Sequence, residues 1–277
     1  MNKTQIVVLS GAVLILVLLY FAPKINPSAE SQQKDNDTTV AEDHSFESHI
    51  TDFKKDLEPD QLDLIVSVEQ ALAQSEQNEH VILFDSLINL WDINKKPVAA
   101  AIYAVQKAEI SPSAGHWFEA AERFFYVSRI VEKHMAQHAY EQAIRGYEEV
   151  LKTEPVNLDA KINLAVCYVE SSREPMKGIN LLREVLLTDS LNAKAHLNLG
   201  YFSLKSGQYD KAIARFEKVI QIDPTYVDAF LYLGDVYETR GNKKKAIEYY
   251  EQYRTKVNNP VLSQEIGNYI EMLKKNN

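Results

Sequence analysis

From Asp60 onward, apolar side chains recur every three to four residues, the spacing that puts them on one face of a helix. Leu62, Ile65, Val66 and Leu72 form the first such stripe, and Val261, Ile266, Tyr269, Ile270 and Leu273 form the last. Between them, small residues, glycines and aromatics return in a constant order. At a spacing of 34 residues, Ala195 falls on Ala229, Leu199 on Leu233, Gly200 on Gly234, Gly207 on Gly241, Ala212 on Ala246 and Ile213 on Ile247. The pattern predicts an all-α chain of repeated helix–turn–helix units.

Each recurring residue has a physical task. Gly200 and Ala212 are expected where two antiparallel helices approach too closely for a larger side chain. Gly207 closes the turn between them, where a positive φ suits glycine. Pro224 stops the second helix, because it has no N–H to donate and its ring clashes with the preceding turn. Phe216 and Tyr250 share one second-helix position and wedge between neighbouring units. One unit cannot bury its apolar face alone, so the pattern predicts a stack. Residues of these types in this order, closed by Asp223-Pro224, resemble the tetratricopeptide repeat family. The resemblance implies a right-handed α-solenoid without catalytic activity.

The same frame divides the rest of the chain. Units are expected at 227–260, 193–226 and 158–192, the last with one added residue in its turn and Ser190 in place of the closing proline. A longer unit is read at 115–157. Its extra length is assigned to the first helix, read from Gly115 to about Met135, or to the turn that follows, where His138 falls. Setting Pro112 on the position of Pro224 exposes a degenerate unit at 81–114, with Ala100 and Ala104 at packing positions and Pro97 opening the second helix. Helices at 59–80 and 261–277 are expected to cap the two ends.

The N-terminal part is of another kind. After a tail of residues 1–4, residues 5–22 contain an apolar run from Ile6 to Ala22, long enough to span a hydrocarbon core of about 30 Å. It reads as an uncleaved signal-anchor, with a cleaved signal peptide as the competing reading. The lysines around it (Lys3, Lys24, Lys34) leave the charge bias close to neutral, and the segment reads as a bacterial inner-membrane signal-anchor with the repeats in the periplasm. Residues 23–58 are polar and acidic, and read as a flexible linker.

Composition narrows the function classes. The net charge of −9 argues against nucleic acid or an anionic membrane surface as the main partner. The single cysteine, Cys167, lies in an apolar helical pattern and reads as a small core residue. No phosphate loop, nucleophile elbow or paired-cysteine metal motif is present, and no cofactor, metal or small-molecule substrate is expected. His134 and His138 stand four apart, but read as solvated or capping residues. His196 shares its position with Phe230, and reads as a partly buried structural histidine.

In the family that the chain resembles, the first helices line a groove for an extended or helical peptide. On this frame Asp159, Ile162, Asn163, Val166 and Glu170 face the groove in one unit, followed by Lys194, Leu197, Asn198, Tyr201 and Lys205. The last unit contributes Asp228, Tyr232, Asp235 and Glu238. The residues assigned to a partner are Asn163, Lys194, Asn198, Tyr201, Lys205, Tyr232 and Asp235: amides for a backbone, aromatics for apolar area, charges for the rim. Some family members clamp the carboxylate tail of heat-shock chaperones. Only Asn163, Asn198 and Lys194 match that set here, and Asp228 and Tyr232 stand where further cations are needed. The expected function is a membrane-tethered scaffold that assists envelope assembly, translocation or maturation. The alternatives are a structural subunit of a larger membrane complex, and an enzyme with a site within residues 46–123.

Overall fold

The computed structural model describes residues 49–275. Every regular element among them is helical. Five antiparallel pairs follow one another: α3 (His80–Ile93) with α4 (Pro97–Ile110), α5 (Ala114–Val127) with α6 (Lys133–Thr153), α7 (Leu158–Glu170) with α8 (Pro175–Thr188), α9 (Ala193–Lys205) with α10 (Tyr209–Ile222), and α11 (Val227–Thr239) with α12 (Lys243–Lys256). Before them come α1 (Ile50–Lys55) and α2 (Pro59–Gln74), and after them α13 (Pro260–Lys275). From α2 onward each helix packs on the next, and α9 also touches both α7 and α11 directly. The first helices therefore line the inner side of a helical solenoid, and the second helices its outer side.

The helix ends follow from local chemistry. Asn157, Asn192 and Asn242 accept hydrogen bonds from the backbone N–H three residues on, at 2.9, 3.0 and 3.2 Å, and Ser113 caps α5 in the same way. A cap of this kind contributes about 1 kcal/mol. Pro97 and Pro175 sit in the first turns of α4 and α8, where the missing N–H costs nothing.

The turns show why some units are harder to see. Gly207 and Gly241 adopt φ of 73° and 74°, as their turn requires. At the same place, the units of α3–α4 and α7–α8 carry Lys95 and Ser172, both with φ of 56°. A side chain in that region costs roughly 1–2 kcal/mol, which the packing of the neighbouring helices must offset.

Packing explains Gly200 and Gly234. A Cβ on Gly200 would lie 2.6 Å from the Phe216 ring, and one on Gly234 would lie 2.3 Å from the Tyr250 ring. Those rings fill the space between units: Phe216 stacks on Tyr232 at 5.3 Å, and Tyr250 meets Tyr269 of α13 edge-on at 5.7 Å. Cys167 is fully buried, and burial pushes its thiol up, away from the reactive thiolate.

Two expectations are corrected. The extra residues at 115–157 lengthen the second helix: α6 has 21 residues against 14 in α10, while α5 ends at Val127. Backbone N–H groups of Ser128, Arg129 and Ile130 close the turn onto the carbonyls of Phe124, Tyr126 and Val127. The added turns of α6 are held by buried Ala139 and half-buried Met135. His134 and His138 therefore both lie on α6, beside Glu132 and Glu141 at 3.6 and 3.8 Å. The second correction concerns residues 23–58, whose end is not a linker: Ile50 to Lys55 is helical, because Ile50, Phe53 and Leu57 pack against the core.

The apolar run at 6–22 lies outside the described residues. No helix among the described residues is long and apolar enough to cross a membrane.

Candidate functional site

The first helices α7, α9 and α11 place equivalent residues side by side on the inner face. Position by position, Asp159 is followed by Lys194 and Asp228, and Glu170 by Lys205 and Thr239. The alternation of sign produces ion pairs between units: Lys194 to Asp159 at 2.8 Å and Lys205 to Glu170 at 2.9 Å. The hydrogen bond Lys194 donates to Asp159 raises its ammonium pKa against the effect of burial; at Lys205 burial works against the charge, but the hydrogen bond donated to Glu170 and that carboxylate's charge hold the pKa above the usual range.

Between these pairs lies an aromatic patch. Tyr201 and Tyr232 meet at 5.4 Å between ring centroids, Tyr232 stacks on Phe216, and the Lys205 ammonium sits 5.2 Å from the Tyr201 ring. Both tyrosines are half-buried. They offer a rigid, partly exposed surface with a cation at its edge, which suits an apolar side chain or an extended backbone.

The other residues assigned to the groove are occupied within the protein. Asn163 donates its amide to Glu122 at 2.5 Å, and Tyr147 donates its hydroxyl to the same carboxylate oxygen. Asn198 donates to the Lys194 carbonyl of its own helix at 2.9 Å. Asp235 accepts from the Tyr250 hydroxyl at 2.8 Å, as does Glu238, which also accepts from Tyr269 at 2.7 Å. Burial holds the Asp235 carboxyl above its ordinary value; the Tyr250 hydrogen bond opposes that shift and the nearby Glu238 adds to it. Burial and the two carboxylates push the Tyr250 hydroxyl far up, and Tyr269 is raised to about 12 by its bond to Glu238. Ile162 and Val166 do not line an open groove, being 2% and 7% exposed in the core between units.

The structure thus unites Tyr201, Tyr232 and Lys205 in one patch. It sets Asn163, Lys194 with Asn198, and Asp235 in three separate bonded clusters. Glu122 was missed from sequence because α5 reads there as part of a longer apolar helix. Its signal is a carboxylate at an inner position of a first helix.

Two of the hollows elsewhere border Glu122 or His196, both named above. One of about 260 Å³ is lined by Asp92, Pro97, Glu122, Arg123 and Tyr126, and its Asp92 and Arg123 are ion-paired at 3.0 Å. The other, of about 820 Å³, opens on the outer side between α8, α9 and α10 and borders His196. His196 is 7% exposed: Arg215 donates to its Nδ1 at 2.9 Å, so its Nε2 proton goes to the Ser190 carbonyl at 3.1 Å. Among the described residues, no group of three or more metal-ligating side chains is assembled.

Comparison with known proteins agrees with the geometry. Residues 203–241 match the model of a TPR repeat, and residues 228–257 that of a tetratricopeptide repeat. The RNA polymerase-associated protein CTR9 of Saccharomyces cerevisiae is 31% identical over 125 residues, which is 44% of this chain but 11% of that protein. The peptidyl-prolyl cis-trans isomerase FKBP4 of Rattus norvegicus is 25% identical over 193 residues, 61% of this chain and 42% of that protein. Both alignments thus span less than half of the relative. Among solved structures, a tetratricopeptide repeat protein from Parabacteroides merdae superposes with a TM-score of 0.60 at 15% identity, covering 83% of this chain and 87% of the other. PilW, a type IV pilus biogenesis factor, superposes at 0.53 and 18%, covering 80% and 94%. The likeness of both is one of fold. Residues 203–257 are thus tetratricopeptide repeats, and the described residues around them build a stack of the same helical fold.

Proposed function

We propose that this chain is a non-catalytic scaffold whose inner face takes a segment of a partner protein, centred on Tyr201 and Tyr232. The observation that carries this reading is the half-buried aromatic pair with Lys205 at its edge, on the side of the solenoid formed by the first helices. The ion pairs flanking it are exposed, and each contributes about 1 kcal/mol or less, so a partner's charges can replace them cheaply. Anchoring through residues 6–22, with the repeats in the periplasm, makes the partner an envelope protein undergoing assembly, translocation or maturation. The resemblance in fold to a pilus biogenesis factor is in keeping with such a role.

A photo-crosslinking residue at Tyr201, compared with one at the outward-facing Ala214, tests the face in native membranes. The expected result is a discrete adduct from position 201 that is lost in Tyr232→Ala. Equal adducts from both positions, or adducts indifferent to Tyr232→Ala, sink the assignment. A C-terminal alkaline phosphatase fusion that stays inactive sinks the periplasmic placement alone.

A further inference from the structure

The outer cleft between α8, α9 and α10 has the size of a small-molecule site, at about 820 Å³. Val169, Met176, Ile179, Leu199 and Phe202 form an apolar floor. The apolar core divides here: Leu199 and Phe202 cluster with Leu182 and Val185, whereas Phe216 joins the following cluster around Leu233 and Tyr250. Met176 is left 61% exposed.

Around this floor stand Arg183, Lys211, Arg215 and Lys218, and among the described residues no carboxylate lines the cleft, in a chain whose net charge is −9. The acceptors held by three of these cations are neutral: Asn180 for Arg183, Gln208 for Lys211 and His196 for Arg215. Among the described residues none of the four is ion-paired, whereas the inner-face lysines Lys194 and Lys205 both are. Burial, and then the like charge of Arg183, weaken the hold of Arg215 on its proton, so an anion between them relieves both.

The uncharged polar side chains narrow the ligand further. Ser203 and Ser206 donate to the carbonyls of Leu199 and Phe202 at 2.7 and 2.8 Å, and the Gln208 amide donates to Ser206. Helical walls have their backbone groups engaged, so little remains to bond the amides of a peptide. What fits is a molecule whose one polar group is an anionic head.

We propose that this cleft binds a single-chain anionic amphiphile, a free long-chain carboxylate, with its tail on Met176, Ile179, Leu199 and Phe202 and its head among Arg183, Arg215 and Lys218. The site shares no lining residue with the inner-face patch, and it adds a small-molecule ligand where the sequence suggested none.

Calorimetric titration of the full chain with sodium palmitate, below its micelle-forming concentration, tests the proposal. Arg183→Gln/Lys218→Gln is expected to weaken binding about tenfold or more, as the loss of charge-assisted bonds predicts. Met176→Glu, at an exposed position of the floor, abolishes it. Lys152→Gln/Lys274→Gln removes the same charge elsewhere and leaves the affinity unchanged. Circular dichroism melts confirm that each variant is folded. The proposal is overturned if the cleft variants bind palmitate like the parent, or if neutral hexadecanol binds as tightly. It is equally overturned if phosphatidylglycerol vesicles or an acidic apolar peptide, and not monomeric palmitate, give the binding that these substitutions remove.

Discussion

The inner face of α7, α9 and α11 and the outer cleft of α8, α9 and α10 are built from the same repeats, yet they treat charge in opposite ways. On the inner face each lysine meets a carboxylate one unit away, Lys194 with Asp159 and Lys205 with Glu170. In the outer cleft Arg183, Lys211, Arg215 and Lys218 gather without a carboxylate. Inner charges thus hold neighbouring units in register, and their exposed pairs can be exchanged for a partner's at little cost. Outer charges hold nothing together, and their mutual repulsion is relieved only by an anion from outside. A repeat that stabilises itself along one face is free to be strained along the other.

The largest expected effect comes from the residue that serves both faces. Phe216 is fully buried, lies under Tyr232 of the inner patch, and stands on the helix that carries Lys211, Arg215 and Lys218. Phe216→Ala is expected to cost about 3–5 kcal/mol in a urea melt. It should loosen palmitate binding and the Tyr201 crosslink together; loss of one without the other shows that the two surfaces are energetically separate. Next in size is Glu122→Ala on the inner side, which leaves the Tyr147 hydroxyl and the Asn163 amide without their acceptor. The expected loss is about 1–3 kcal/mol. Its outer counterpart, Arg183→Gln, removes an unpaired and exposed charge and should change stability by no more than about 0.5 kcal/mol in either direction. If Arg183→Gln destabilises as much as Glu122→Ala, the outer cations have a structural role and the contrast fails.

Much of the fold is legible in the amino-acid sequence, and what is not has physical reasons. Gly200 and Gly234 announce close packing because no Cβ fits beside the rings of Phe216 and Tyr250. Gly207 and Gly241 announce their turns through a conformation that other residues avoid. The turn at Ser128–Val131 has neither glycine nor proline, and Val131 and Met135 continue the apolar spacing across it, so periodicity alone runs α5 into α6. Glu122 was hidden by the same misreading. Of the groove residues, Tyr201 and Tyr232 keep exposed surface, whereas the register that faces Ile162 and Val166 inward also seals them between units. The outer cleft is half-visible: Lys211, Arg215 and Lys218 are four and three apart on one face of α10. That no carboxylate meets them, and that Arg183 joins them from the preceding unit, depends on how α8 and α10 lie together.

The smallest predicted effects are in pH dependence, and here the two faces should slope in opposite directions. On the inner face, burial raises the Asp235 carboxyl above its ordinary value of 3.8, against the Tyr250 hydrogen bond and with the help of Glu238. Between 3.8 and that raised value the folded chain binds more protons than the unfolded chain, so this group makes stability fall as pH rises through the window. On the outer face, burial lowers His196 below its ordinary 6.5. The Ser190 carbonyl and Asp189 oppose that shift, while Arg215 and Lys218 add to it. As pH falls below 6.5 the unfolded chain takes up the proton first, so this group's contribution is present above 6.5 and is lost towards acid. Asp235→Asn keeps an acceptor for Tyr250 and should remove the first slope, leaving the protein at least as stable at neutral pH. His196→Phe, the residue found at the equivalent Phe230, should remove the second. Urea midpoints measured from pH 4 to pH 8 for the parent and both variants separate the two. Should Asp235→Asn flatten the loss towards acid, or His196→Phe leave it unchanged, charge burial is not divided between the faces in the way their hydrogen bonds indicate.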